Sequence, residues 1–426
     1  MISFIYRQIS QVRRGGYSVL ARKIKTVIPF LARVPIYVCA VPVVLVIRLI
    51  KPWVLLRFAA LDCARIGHFT AKTELHLCER DAGINRPTQR YVDIYYFATA
   101  PLCNYQLAKM WKRIIPVWPA WVAVPIVQAN RLIPRWEVHH VQGLTNARDN
   151  ENFYDRTQPH LSFTDEEVAR GDKELSAMGI PVGAPFICLI VRDSAYLDSH
   201  LKGDYSYHQY RDSDIDDYLL AAEELAKRGY FVIRMGFKVN KALNSQHEKV
   251  IDYATNGMRS DFMDIYLGAK CTFCISTGTG WDGVPEIFRR PTVFVNFVPL
   301  GLLLTFRRDV ICITKHHHSK TDKRELNLKE IFIRGTGFCT QADQYDKQGV
   351  QLIDNSPEEI RDVAIEMSER LNDTWQPNAD DDALQQRFFE LFVSDTQDGK
   401  HGRPLHGRIH SRFGASFLRN NRWWVQ

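Results

Sequence analysis

Short, dense apolar runs alternate along this chain with longer stretches in which apolar residues recur at helical spacing. The dense runs at 53–61, 91–98, 186–191, 230–235, 271–275, 291–296, 309–314 and 350–353 predict strands. Between them, 69–81, 103–114, 214–228, 260–270 and 281–289 predict helices. Two further helices announce their own starts. Thr164 and Glu167 form a capping-box pair, with Gly179 and Pro181 marking the stop. Ser356, Pro357 and Glu359 open a helix that runs to about Leu371. Residues 116–133 are apolar, aromatic and punctuated by proline, and the pattern assigns them to neither class.

Strands alternating with helices predict an α/β protein with mainly parallel sheets and helices on both faces. Residues 139–160 are polar and read as a connection between two such units. The expected organisation is a basic and apolar segment at 1–51, an N-terminal Rossmann-like domain with its connection at 52–160, a second Rossmann-like domain at 161–375, and a helical tail at 376–426 that either packs back on the first domain or touches the membrane interface. Open α/β sheets bind ligands at the carboxyl ends of their strands.

Charge changes this picture at one end. Residues 1–61 carry ten basic side chains and no acid, the first being Asp62. Fifty-five Lys and Arg less those ten leaves 45 against 48 acids, so the body is close to neutral. A nucleic-acid surface is therefore not expected. Residues 34–47 are uncharged, too short to span a bilayer, and carry Pro35 and Pro42. They read as an interfacial element held to anionic lipid, which predicts a peripheral or monotopic protein at the cytoplasmic face of the inner membrane. The alternative is a helix buried in the body. Nine cysteines, an odd number mostly in apolar runs, predict reduced, buried thiols.

Candidate chemistry centres on Ser276, Thr277, Gly278, Thr279 and Gly280, between a strand and a helix. Backbone N–H groups, hydroxyls and the positive end of a helix dipole at such a turn suit a phosphate. Neither nucleotide fingerprint fits, and a tight turn without a ligand is the plain alternative. Arg192 and Arg234 close neighbouring strands, where a guanidinium can neutralise an anion or sit in an ion pair. Asp282 and Glu286 share a helix face and could accept from a ribose or complement the helix terminus. His68 lies in a strand-to-helix loop and is a candidate base, with Asp62, Glu74 and Glu79 as competitors. Tyr207, His208 and Arg211 belong to an aromatic-basic loop fit for substrate contacts. The acids at 212–216 with Glu223 mimic a calcium loop, but the sixth position is Asp217 rather than Gly, so no metal is expected. His316, His317 and His318 read as a solvated loop.

Several segments in combination resemble a group of bacterial glycosyltransferases found with surface-polysaccharide genes. They are Arg65-Ile66-Gly67-His68, Cys103-Asn104-Tyr105-Gln106-Leu107, Tyr210-Arg211-Asp212-Ser213-Asp214, Arg259-Ser260-Asp261-Phe262, 276–285, Arg412-Phe413-Gly414 and Arg419-Asn420-Asn421-Arg422-Trp423-Trp424. The resemblance spans roughly 52–426. It implies a GT-B-like fold, two Rossmann-like domains facing a cleft, with a nucleotide-sugar donor on the second and usually no bound metal or other cofactor. The expected partners are that donor, a glycan or lipid-linked acceptor, and a membrane surface. A nucleotide-sugar epimerase of similar shape and a non-catalytic membrane-bound scaffold remain open at this point, as does the oligomeric state.

Overall fold

The computed structural model describes residues 16–17, 35–144, 147–195, 206–304, 307–392 and 408–426. Most of the basic residues of the first segment, from Arg7 to Arg33, lie outside these residues. Contacts divide the chain into two units, and the division cuts across the chain order.

The smaller unit takes the described residues up to Leu61, with Asn85–Ala98 and Ile115–Gln142. Strands β1 (Leu55–Leu61) and β2 (Tyr91–Phe97) pair in parallel over their whole length. Isolated parallel bridges from Phe58 to His140 and from Tyr95 to Val117 widen the sheet. Arg57 and Asp93 are partners in the register, and the guanidinium grips the carboxylate with two bonds of 2.6 and 2.7 Å. Such a bidentate pair satisfies charges that burial would otherwise penalise. A helix over 35–49 and the helix Ala120–Arg131 pack together on this sheet through Ala40, Val44, Ile47, Phe58, Ile94, Ile126 and Ala129. The second helix accommodates Pro125 internally, which is why the proline-punctuated stretch escaped assignment from sequence.

The larger unit takes Asp62–Ile84, Thr99–Ile114 and Gly143–Gln426. Its main sheet has seven strands, all paired in parallel, in the order β12-β8-β7-β6-β3-β4-β5. These are β3 (Phe186–Ile190), β4 (Phe231–Arg234), β5 (Val250–Ile251), β6 (Phe273–Ser276), β7 (Thr292–Phe294), β8 (Val310–Cys312) and β12 (Arg412–Phe413). Both faces are covered. Ile187, Leu189, Val232, Phe273 and Ile275 face the helices Leu219–Lys227 and Pro357–Leu371. Phe186, Cys188, Ile190, Ile233 and Cys274 face Asp165–Ala177 and Asp261–Lys270. A sheet buried on both sides needs apolar residues at every position, which is what the dense runs encode. Both capping boxes form, Thr164 with Glu167 and Ser356 with Glu359.

Three readings change. The histidine run is a strand, β9 (His316–Ser319), between β10 (Arg324–Glu325) and β11 (Val350–Ile353) in a small antiparallel sheet. Strand alternation turns His317 inward, where it is buried, and His316 toward Glu325 and Glu359. The tail returns to the large unit: β12 extends the main sheet, and Trp424 stacks on Phe413 and Phe388. The polar stretch before residue 160 is held down by the buried Asp149, which accepts from the Phe153 and Tyr154 N–H groups, and both aromatics pack on Leu75 and Cys78. All nine cysteines are free, and Cys39 is exposed.

Candidate functional site

Strand β6 delivers its last residue, Ser276, into a turn that is tied from below. Ser276 Oγ and Thr279 Oγ1 both donate to Asp282 Oδ1, at 2.6 and 3.0 Å. The Gly278 N–H donates to Ser276 Oγ at 3.0 Å. Gly278 has φ of +79°, and a Cβ there would meet the Phe297 ring at 2.8 Å, so both backbone and space call for glycine. Burial pushes the Asp282 carboxyl up to about 6, while Ser276 and Thr279 pull it back. Asp282 thus organises the turn from inside, instead of presenting a free carboxylate to a sugar.

The helix after the turn is short, Gly283–Ile287, so its dipole counts for little. A longer helix reaches the same place. Ile66–Asp81 has sixteen residues, and its second, Gly67, lies against the Gly280 backbone. A Cβ on Gly67 would sit 2.8 Å from the Gly280 carbonyl oxygen, and a Cβ on Gly283 would sit 2.1 Å from Thr70 Oγ1. Glycine at both positions lets the first turn of the long helix close on the strand-to-helix turn. The glycines in these two motifs were visible in the sequence, but not that they face each other.

Basic side chains gather on the other side. The Arg192 backbone N–H, just beyond β3, donates to Thr277 Oγ1 at 2.9 Å. The Arg211 guanidinium donates to the Gly278 carbonyl. Burial, then the neighbouring Arg211, holds Arg192 below the usual arginine range. Burial and the charges of Arg192, Arg211 and Arg65 likewise depress His208. Arg192 Nε lies 3.3 Å from Asp212 Oδ1 but outside hydrogen-bonding geometry. Arg192 Nε, Arg211 Nε and His208 Nδ1 are all buried without a hydrogen-bond partner among the described residues. The Arg211 guanidinium and the Arg192 backbone N–H thus meet the glycine turn, and the Arg192 side chain and the His208 imidazole lie beside Arg211 with ring and guanidinium nitrogens left over. Orphaned buried donors cost free energy, and an anion with several oxygens would satisfy them. Tyr207 is partly exposed, with its ring centroid 4.1 Å from that of His208.

His68, next to Gly67, points its Nδ1 at Asp62 Oδ2 at 2.8 Å, and Lys72 Nζ reaches the same oxygen at 2.8 Å. Burial tends to raise Asp62, but Lys72 and then His68 outweigh it and hold the carboxyl below the usual range. An ionised Asp62 fixes the tautomer with the proton on Nδ1, leaving Nε2 to accept one. The ring is about half exposed.

The remaining candidates lie elsewhere. Arg234 is fully buried and faces Asp252 at 3.1 Å and the Lys241 carbonyl at 3.0 Å. Those two bonds tie its guanidinium to the 241–252 segment, with only Nε lacking a partner among the described residues. Glu286 is buried; burial pushes it up to about 7, with Arg307 opposing and Asp149 adding. The calcium-like acids disperse: Asp214 pairs with Lys241, and Glu223 accepts from Ser245. Among the described residues Glu74, Cys78 and His160 form a group of metal-ligand type. The Arg289 guanidinium sits 2.7 Å from Glu74 and 3.6 Å from Cys78, so a cation already occupies that position. Lys72 is the residue that reading for motifs did not place beside His68 and Asp62. The signal for it was only its proximity to Gly67 in sequence.

No protein-family model matches this chain, and no curated protein does. Among solved structures it is similar to the ADP-heptose lipopolysaccharide heptosyltransferase II of E. coli, at 12% identity over 61% of this chain and 90% of that one, with a TM-score of 0.38. It is similar to a family 9 glycosyl transferase of Veillonella parvula DSM 2008, at 10% identity over 74% and 96%, TM-score 0.42. A third is the E. coli heptosyltransferase WaaC with ADP-2-deoxy-2-fluoro heptose, at 12% identity over 63% and 95%, TM-score 0.27.

Proposed function

We propose that this protein is a GT-B-like glycosyltransferase that moves a sugar from a nucleotide-sugar donor to a glycan or lipid-linked acceptor. One observation carries the reading: Arg211 and the Arg192 backbone meet the 276–280 turn, and beside them Arg192 Nε, Arg211 Nε and His208 Nδ1 are buried with no partner among the described residues. A phosphate-bearing leaving group supplies those acceptors. In transfer, the acceptor hydroxyl oxygen attacks the anomeric carbon, the bond from that carbon to the phosphate oxygen breaks, and the hydroxyl proton leaves. His68 Nε2, oriented by Asp62, takes that proton. Arg192 and Arg211 stabilise the charge that grows on the departing phosphate, where electrostatic help counts most. The turn's own N–H groups contribute less than its sequence suggests, because the Gly278 N–H is already used by Ser276.

Calorimetry with UDP, GDP, CMP, TDP and ADP, each with and without EDTA, tests this. One nucleotide binding tightly and insensitively to EDTA, with release of free nucleotide from the matching nucleotide-sugar once acceptor is added, is the expected result. A folded sample that binds none of them overturns the reading.

A further inference from the structure

The helix over 35–49 is apolar on nearly every side, yet only one stripe of it is buried. Ala40, Val44 and Ile47, spaced four and three apart, pack on the small unit. At 3.6 residues per turn, Val38, Val41, Leu45, Val46 and Leu49 fall on the side away from that stripe. They are exposed, Val38 by 64%, Leu45 by 56% and Leu49 by 70%, and Trp53 just past the helix end by 70%. A helix with an apolar face this continuous does not rest in water. No helix among the described residues is long and apolar enough to cross a membrane. This one, fifteen residues rising about 1.5 Å each, covers roughly 22 Å against a hydrocarbon core of about 30 Å.

We propose that this face docks on an anionic lipid bilayer, with the helix lying in the interface plane. Charge selects the occupant. The first 61 residues carry ten basic side chains and no acid. A second copy would bring an equally positive segment and be repelled, whereas an anionic leaflet attracts it. The apolar stripe inserts at the boundary of headgroups and acyl chains, and Trp53 is of the residue type that settles at headgroup level. The inference stands apart from the transfer reaction, and neither depends on the other.

The test uses the full chain, purified in detergent and mixed with preformed vesicles of phosphatidylcholine alone or with 30% phosphatidylglycerol, a composition chosen on the order of that of anionic leaflets. Expected are at least tenfold tighter binding to the anionic vesicles and quenching of tryptophan fluorescence by brominated lipid. That quenching falls in Trp53→Phe. The triple variant Val41→Asp, Leu45→Asp, Leu49→Asp, changed only at outward positions, loses at least tenfold in vesicle binding while its urea midpoint and nucleotide binding stay as in the parent. Retained vesicle binding by a folded triple variant overturns the proposal. So does absence of binding by the parent, or a lipid-free dimer that the triple variant converts to monomer, which would make the face a self-interface.

Discussion

Gly67 and Gly280 meet backbone to backbone, and the contact leaves no room for a Cβ on Gly67. The contact joins the first turn of a sixteen-residue helix to the glycine turn after β6. Gly67→Ala places a methyl group 2.8 Å from a carbonyl oxygen that cannot swing away. We expect a loss of about 1–3 kcal/mol in urea unfolding, the usual cost of overpacking. Weakened nucleotide binding should accompany it, since the turn must shift. Gly283→Ala offers an internal control, because its methyl meets the Thr70 hydroxyl at 2.1 Å. Adding Thr70→Ala should recover part of that loss; a strictly additive double variant would show that the contact is not the cause.

Arg192 and Arg211 should govern affinity for the anion. Replacing either by Ala removes a charge-assisted donor worth about 1.5–3 kcal/mol, or roughly ten- to hundredfold in nucleotide Kd. Arg234→Met should instead act on stability, because it strips Asp252 of its buried partner. Calorimetry and urea unfolding on the three variants separate the two roles. Nucleotide affinity lost in Arg234→Met at unchanged stability would reverse the assignment.

His68→Ala and Asp62→Asn are expected to lower kcat by about 10²–10⁴ and 10-fold or more respectively, as for loss of a base and of its orienting partner. Nucleotide Kd should move by less than about threefold, since neither touches the basic cluster. Equal losses in kcat and in nucleotide affinity would instead mean that the helix start has shifted.

Neighbouring histidines in β9 should pull stability in opposite directions with pH. Glu325 at 2.6 Å and Glu359 at 3.0 Å outweigh burial and raise His316 to about 9. Its contribution is therefore complete below about 6.5, the unfolded value, and is lost as pH rises through 9. Burial lowers His317 to about 4, so it costs stability as pH falls from about 6.5 toward 4. Urea midpoints from pH 4 to 10 should be flatter on the alkaline side in His316→Gln. An unchanged alkaline limb in that variant would rule out His316 as its source.

Cys39, exposed on the apolar helix, gives a native thiol as a handle on membrane docking. Its reaction with a maleimide should slow at least about fivefold with anionic vesicles and not with neutral ones, as the helix sinks into the interface. The same rate in both would argue against docking on that side.

Local chemistry was legible from the residues alone. The dense runs of β3, β4 and β6 encode a sheet buried on both faces, because every position needs an apolar side chain. The capping pairs Thr164 with Glu167 and Ser356 with Glu359 fix helix starts through bonds spanning three residues. What only tertiary structure decided is partnership across long separations. Whether Arg192 or Arg234 meets the turn depends on where each strand end is taken, the Arg192 backbone N–H by Thr277 and its side chain toward Asp212, the Arg234 side chain by Asp252. Whether three histidines form a loop or a strand depends on β11, more than thirty residues on, supplying the ladder. Asp282 reads as a ligand for a sugar until Ser276 and Thr279 claim it from within the turn. Sequence states which groups are present and how they repeat, since backbone period and capping act over a few residues. It does not state which donor is left without an acceptor, because that is settled only when distant segments have taken theirs.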